Sequence, residues 1–252
     1  MSARALIRAG LLAVAFAVAM PAMAQEKTGA KPGFTLQPGT ARIVLMRPAI
    51  RVGAQSTGGM FEPNADWTTQ ARENITLALK DLQSRLGNEV IVYEEGVGAD
   101  GPLTTQYGNL FGAVADSVIE YQFFKGNRLP TKKKQKSEFD WGIGPGIADV
   151  AALKGADYAL FINTQDAYGS TGRKVLQAVG FLAGVPVTSG VHHGYAGLID
   201  LRTGDLVWLN ADRQMGGDVR TADGAVKRVR QLLEGFPGRP PEAPEATSAA
   251  GR

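Results

Sequence analysis

The feature that most constrains this fold lies in the C-terminal third of the chain. Two apolar runs, residues 195–201 and 206–210, flank the four residues Arg202-Thr203-Gly204-Asp205. Apolar runs about a turn of this kind make a β-hairpin, with Gly204 free to take a positive φ. Residues 157–163 (Asp-Tyr-Ala-Leu-Phe-Ile-Asn) are the strongest single strand candidate upstream of it.

Earlier segments alternate between strand and helix patterns. Residues 41–48 form a short, nearly continuous apolar run, as expected of a strand covered on both faces, and lead into a Gly-rich loop. Asp66-Trp67-Thr68-Thr69 offers capping side chains, after which Ala71, Ile75, Ala78, Leu79, Leu82 and Leu86 recur at helical spacing until Gly87-Asn88. Val90-Ile91-Val92-Tyr93 reads as a second strand. A second helix over 104–124 carries Phe111, Val114, Val118 and Phe123 on one stripe, and a short helix over 147–154 follows. A last helix over 222–233 directs Val226, Val229, Leu232 and Leu233 inward and places Lys227, Arg228 and Arg230 on its outer face. The fold class is therefore α/β: a single domain with a mixed sheet in strand-helix-strand-helix-strand order, a late antiparallel hairpin and a C-terminal helix.

Gly155-Ala156-Asp157-Tyr158 opening a strand, then Leu198-Ile199-Asp200-Leu201-Arg202-Thr203-Gly204-Asp205-Leu206-Val207-Trp208, then a terminal helix, resembles the CsgG-like and TolB N-terminal-like superfamily of bacterial envelope proteins. The resemblance in element order spans about residues 41–233, and its sharp motif is the hairpin. It implies a small α/β domain used for docking or assembly in the envelope, without catalysis. The chain departs from those relatives in lacking a lipidated Cys, which puts outer-membrane anchoring by lipid in question.

The N-terminus supplies an address. Arg4 and Arg8 precede an apolar stretch over 9–20, Pro21 ends it, and Ala22-Met23-Ala24 presents small side chains before Gln25. That is the pattern of a cleavable secretory signal, cut between Ala24 and Gln25, and the apolar run falls short of the roughly 20 residues a spanning helix needs. The expected location is the periplasm. The expected organisation is signal peptide 1–24, disordered linker 25–39, domain 40–236 and disordered tail 237–252, the two flanks being rich in Gly, Pro and charged residues. Cleavage removes two arginines and no acid, so the formal charge of +3 becomes +1, and nothing in the overall charge points to nucleic acid.

Chemistry is sparse. There is no cysteine, so no disulfide or thiol-based metal or redox site. His192 and His193, the two histidines, are adjacent and would point to opposite faces of a strand, which suits neither a metal site nor a nucleophile with its base. Trp141-Gly142-Ile143-Gly144-Pro145-Gly146 lacks a preceding strand and any Gly-Lys-Ser/Thr, and reads as a turn entering a helix; nucleotide binding is not supported. No catalytic residue, cofactor or metal site is therefore assigned.

Two surface features remain. Lys132, Lys133, Lys134 and Lys136 make a basic run that is either a solvated loop or a contact for an anionic surface. Residues 172–191 are apolar and Gly-rich, interrupted by Pro186, with Val175, Leu176, Val179, Phe181 and Leu182 on a short helix over 173–183. This insertion is either core or an exposed patch for self-association, an envelope protein or membrane contact. The functional expectation is an exported, non-catalytic envelope module that docks on or assembles with a periplasmic or outer-membrane complex. The alternative is an enzyme acting on a cell-envelope component with a dispersed active site. Convergent acids and hydroxyls in a pocket would favour the enzyme, and an apolar patch without titratable groups would favour the module.

Overall fold

In a computed structural model, the structure describes residues 26–83, 87–93, 101–124, 127, 129–130, 138–150 and 153–238. The element order is β1 (Glu26–Ala30), β2 (Arg42–Leu45), β3 (Ala49–Gln55), β4 (Phe61–Pro63), α1 (Ala65–Gln83), β5 (Glu89–Val92), α2 (Gly101–Val118) continued by a π-helical turn (Ile119–Phe123), a 3-10 turn (Pro145–Asp149), β6 (Tyr158–Gly169), α3 (Thr171–Leu182), β7 (Val191–Asp200), β8 (Leu206–Asp212) and α4 (Ala222–Leu232). The mixed α/β class and the late antiparallel hairpin are as the sequence implies. Lys132, Lys133, Lys134 and Lys136, the cleavage pair Ala24 and Gln25, and most of the C-terminal tail lie outside the described residues.

One mixed, eight-stranded sheet runs in the order β1-β8-β7-β6-β2-β5, with the β3–β4 hairpin beside the far half of β6. Strand β6 is its spine. Its first residues pair parallel with β2 (Val44↔Ala159) and its later ones parallel with β3 (Ala49↔Asn163 to Gln55↔Gly169), while β7 runs antiparallel along its whole length. From Leu45↔Leu160 to Ala49↔Asn163 the β2–β3 side holds one residue more than β6, so Met46-Arg47-Pro48 is a bulge. Pro48 has no N–H to give the ladder, which is why the interruption falls there.

Helices cover both faces. On one, Ile75 and Leu79 of α1 and Val229 and Leu232 of α4 pack over Ile43, Leu160, Leu198 and Trp208. On the other, Phe111, Ala115 and Val118 of α2 and Ile143, Ile147 and Val150 pack over Val44, Phe161, Tyr195 and Leu206. Capping follows local chemistry: Asn64, two residues before the expected capping stretch at Asp66, accepts the Trp67 N–H at 2.9 Å, and the Thr221 hydroxyl accepts the Gly224 N–H at 3.2 Å. In the hairpin turn Gly204 has φ 75°, and its N–H donates to the Asp200 carbonyl at 2.8 Å.

Four details differ from the sequence reading. Residues 49–55 form β3 instead of a Gly-rich loop. Strand β6 runs on to Gly169. Within the stretch expected to be a linker, residues 26–30 form β1, antiparallel to β8. Arg228, expected on the outer face of the last helix, is completely buried.

Candidate functional site

Helix α3 sits at the tip of the β6–β7 hairpin. Ser170 caps it, its side chain accepting the Arg173 N–H at 3.3 Å. The base of the excursion is clamped by Gln55, itself buried: the Ser170 N–H donates to the Gln55 carbonyl at 3.0 Å, and the Gly190 N–H donates to Gln55 Oε1 at 2.9 Å. Arg173 adds two ties, donating to the Thr188 carbonyl at 2.8 Å and to the Thr57 carbonyl at 3.1 Å. Gly180 is the one buried residue of the helix; a Cβ there would lie 2.8 Å from the Val185 carbonyl oxygen. The helix is thus held at its ends and on one narrow face.

The other faces are open. Val175, Leu176 and Val179 are 59, 39 and 57 % exposed, and Phe181 and Leu182 are 82 and 86 % exposed, more than any other large apolar side chain among the described residues. All five residues proposed from the sequence are therefore exposed instead of core. From residue 171 to residue 190 there is no acid, while Arg173 and Lys174 stand at the helix start.

Behind this arm, where β6, β7 and α4 meet, lies a polar cluster that the sequence reading missed. Thr164, Asp166 and Arg228 are each fully buried. Arg228 donates to both Asp166 oxygens at 2.7 Å, to the Thr164 hydroxyl, and to the Gly216 and Gly217 carbonyls at 3.2 Å, which engages all five of its N–H groups. His192 Nδ1 lies 2.7 Å from Asp166 Oδ1. Burial alone pushes the Asp166 carboxyl up, but hydrogen bonds from His192 and Arg228, with the Arg228 charge, outweigh it and hold the group below the usual carboxylate range. Beside the cluster, Arg220 lies over the rings of Tyr168 and Trp67 and pairs with Asp218. A signal for Arg228 existed: Ala225, Arg228, Val229 and Leu232 fall at i, i+3, i+4 and i+7, the spacing of a buried stripe.

The two histidines do face opposite ways. His192 stands opposite Asp166 and against the Tyr168 ring, whereas His193 stands opposite Gln165, where burial lowers its pKa and the Asp166 and Asp116 charges oppose that. Each Asp166 oxygen is already engaged by Arg228, so the carboxylate is committed to holding β6, β7 and α4 together.

Together these features define an α/β module, helices on both faces of one mixed sheet, that carries a clamped, outward-facing apolar arm. No protein-family model matches the chain, and no curated protein matches it. Among solved structures, two crystal forms of the PelC dodecamer from Paraburkholderia phytofirmans are similar. The first, a single-substitution variant, is 13 % identical, with 84 % of this chain and 96 % of that chain covered and a TM-score of 0.38. The second is 12 % identical, with 84 and 97 % covered and a TM-score of 0.36. A likeness of that size carries no inference about function or assembly.

Proposed function

We propose that this chain is an exported, non-catalytic module that docks at the bacterial envelope through α3, laying its apolar face into a lipid surface. The observation that carries the reading is the acid-free arm with five exposed apolar side chains. A second copy of the arm is a poor occupant on area grounds. Twelve helical residues give a contact on the order of 500 Å² in total, well below the roughly 1,200 Å² of a standard interface. The helix is too short to cross a bilayer, which takes about 20 residues, so it lies in the interfacial plane. Immersing a Val, Leu or Phe side chain fully contributes about 1.5–3 kcal/mol, and each basic residue near an anionic leaflet about 1 kcal/mol. Lys174 is placed for that role, and Lys132, Lys133, Lys134 and Lys136 are further candidates for it.

The expected N-terminal leader and the hairpin's resemblance to the CsgG-like and TolB N-terminal-like superfamily support the same reading, a periplasmic protein of the envelope. The engaged state of Asp166 supports a non-catalytic reading.

Flotation with phosphatidylglycerol/phosphatidylethanolamine vesicles tests the proposal. The wild type floats, and Phe181→Ser/Leu182→Ser stays at the bottom with its melting temperature nearly unchanged. Equal flotation of both overturns it. A wild type that does not float but changes from oligomer to monomer on this substitution, by light scattering, would make α3 a protein-binding surface instead. Intact mass of the periplasmic protein checks the address, with a start at Gln25 or its cyclised form expected.

A further inference from the structure

Beside the arm, the same end of the sheet carries a second projecting element, the turn over residues 56–60 that joins β3 to β4. Its position follows from the topology. Strands β3 and β6 run parallel and share Gln55↔Gly169 as their last pair, so the β3–β4 turn and the β6–α3 junction leave the sheet side by side. The β7–β8 turn follows the pair Tyr158↔Asp200 and lies at the opposite end.

The turn is closed and tied to α3. The Ser56 N–H donates to the Met60 carbonyl at 2.9 Å, and the Met60 N–H donates to the Ser56 hydroxyl at 3.0 Å. Arg173 holds both elements, through the Thr57 carbonyl on one side and the Thr188 carbonyl on the other. The fit at the helix start is close, since a Cβ on Gly172 would lie 2.5 Å from Thr57 Oγ1.

What the turn presents is apolar. Met60 is 74 % exposed, more than any other large apolar side chain described outside α3, whereas Met46 and Met215 are buried. Phe61, the next residue, is held back against the sheet, over Gly53 and under Arg51. Residues 53–61 contain no acid, as 171–190 contain none, and Glu62 stands opposite Ala54, back along the ladder from the tip.

We infer that the β3–β4 turn is a second lipid contact, with Met60 inserted beside α3, so that the domain is seated on the bilayer by that end of its sheet and in one orientation. The inference rests on the reading of α3 as a lipid-contacting arm. A single helix in the interfacial plane leaves the domain free to roll about the helix axis, and a second contact off that axis stops the roll. Because Arg173 ties the turn to the helix, the second insertion is intramolecular once α3 has docked. A flexible, unbranched methionine suits the task, since it conforms to irregular apolar surroundings.

Quenching by lipid-borne nitroxide tests the inference, and the absence of cysteine from the chain makes single labels simple. Met60→Cys, Leu182→Cys and Arg202→Cys, each carrying an environment-sensitive fluorophore, are titrated with phosphatidylglycerol/phosphatidylethanolamine vesicles that contain nitroxide-labelled lipid. The labels at 60 and 182 shift to the blue and are quenched, and the label at 202, in the β7–β8 turn, does neither. Unlabelled Met60→Ser keeps the wild-type melting temperature and partitions into the vesicles about threefold or more weakly. Quenching at 182 without quenching at 60 overturns the second contact and leaves the arm standing, as does unchanged partitioning of Met60→Ser. Equal quenching at 60 and 202 overturns the single orientation. No quenching at any of the three positions overturns the arm and the inference together.

Discussion

Arg228 and Asp166 show how burial reverses the ordinary meaning of a charged residue. Inside this domain neither meets solvent, and each is worth keeping only because the other is there. Arg228→Ala strands a buried carboxylate, and a cost of about 3–5 kcal/mol is expected. Replacing both members, as in Asp166→Asn/Arg228→Met, costs less than the sum of the single changes, which a double-mutant cycle of denaturant melts measures. The acid limb has a definite sign. The folded carboxyl lies below its unfolded value of about 3.9. Its contribution is therefore complete above that value and drains away as pH falls through the folded pKa. Wild-type melting temperature should drop on that limb, and the double variant should drop less steeply.

At the scale of elements, the parts legible in the sequence were those whose burial is apolar and periodic: α1, α2, α4 and the β7–β8 hairpin. Three were not legible, for separate reasons. The outer half of β6 carries Thr164 and Asp166, which look like loop residues because their partner, Arg228, is 62 residues from Asp166. Strand β3 follows a proline and ends near glycines, and its alternation of Ile50 and Val52 inward with Arg51 outward spans too few residues to outweigh that signal. Whether α3 was core or surface could not be read from its composition, because an apolar helix looks the same until its neighbours are placed. The hairpin tests the legible part. Trp208 is 1 % exposed and meets Phe236 edge-on at 5.3 Å, so Trp208→Ala should destabilise by about 3–5 kcal/mol. A Cβ on Gly204 would sit 2.0 Å from the Gly144 carbonyl oxygen. Gly204→Ala should therefore loosen the 141–146 segment from the turn, and a drop of melting temperature without loss of helical circular dichroism checks it.

Across the whole molecule, the sheet has one edge that the sequence left open. Strand β8 would present unpaired backbone groups beyond Leu206–Asp212 if β1 did not pair with it, and an unpaired edge is a template for other chains. Five residue pairs join them, from Glu26↔Asp212 to Ala30↔Trp208, and the Lys31 N–H extends the ladder to the Val207 carbonyl at 2.9 Å. Gly29 lets the strand pass close under Phe139, where a Cβ would be 2.6 Å from the ring. Lys31 then pairs with Asp205 of the hairpin turn, which raises the lysine pKa and lowers the aspartate's, each chiefly through that hydrogen bond. The strand opens one residue beyond the expected cleavage pair Ala24 and Gln25, and its pairing with β8 joins β1 to the same cooperative unit as the hairpin. Removing residues 26–31 should lower the melting temperature by several degrees and produce larger species that grow with protein concentration, seen by light scattering. A truncated chain that melts as the wild type does and remains a single small species would show that the β8 edge needs no cover.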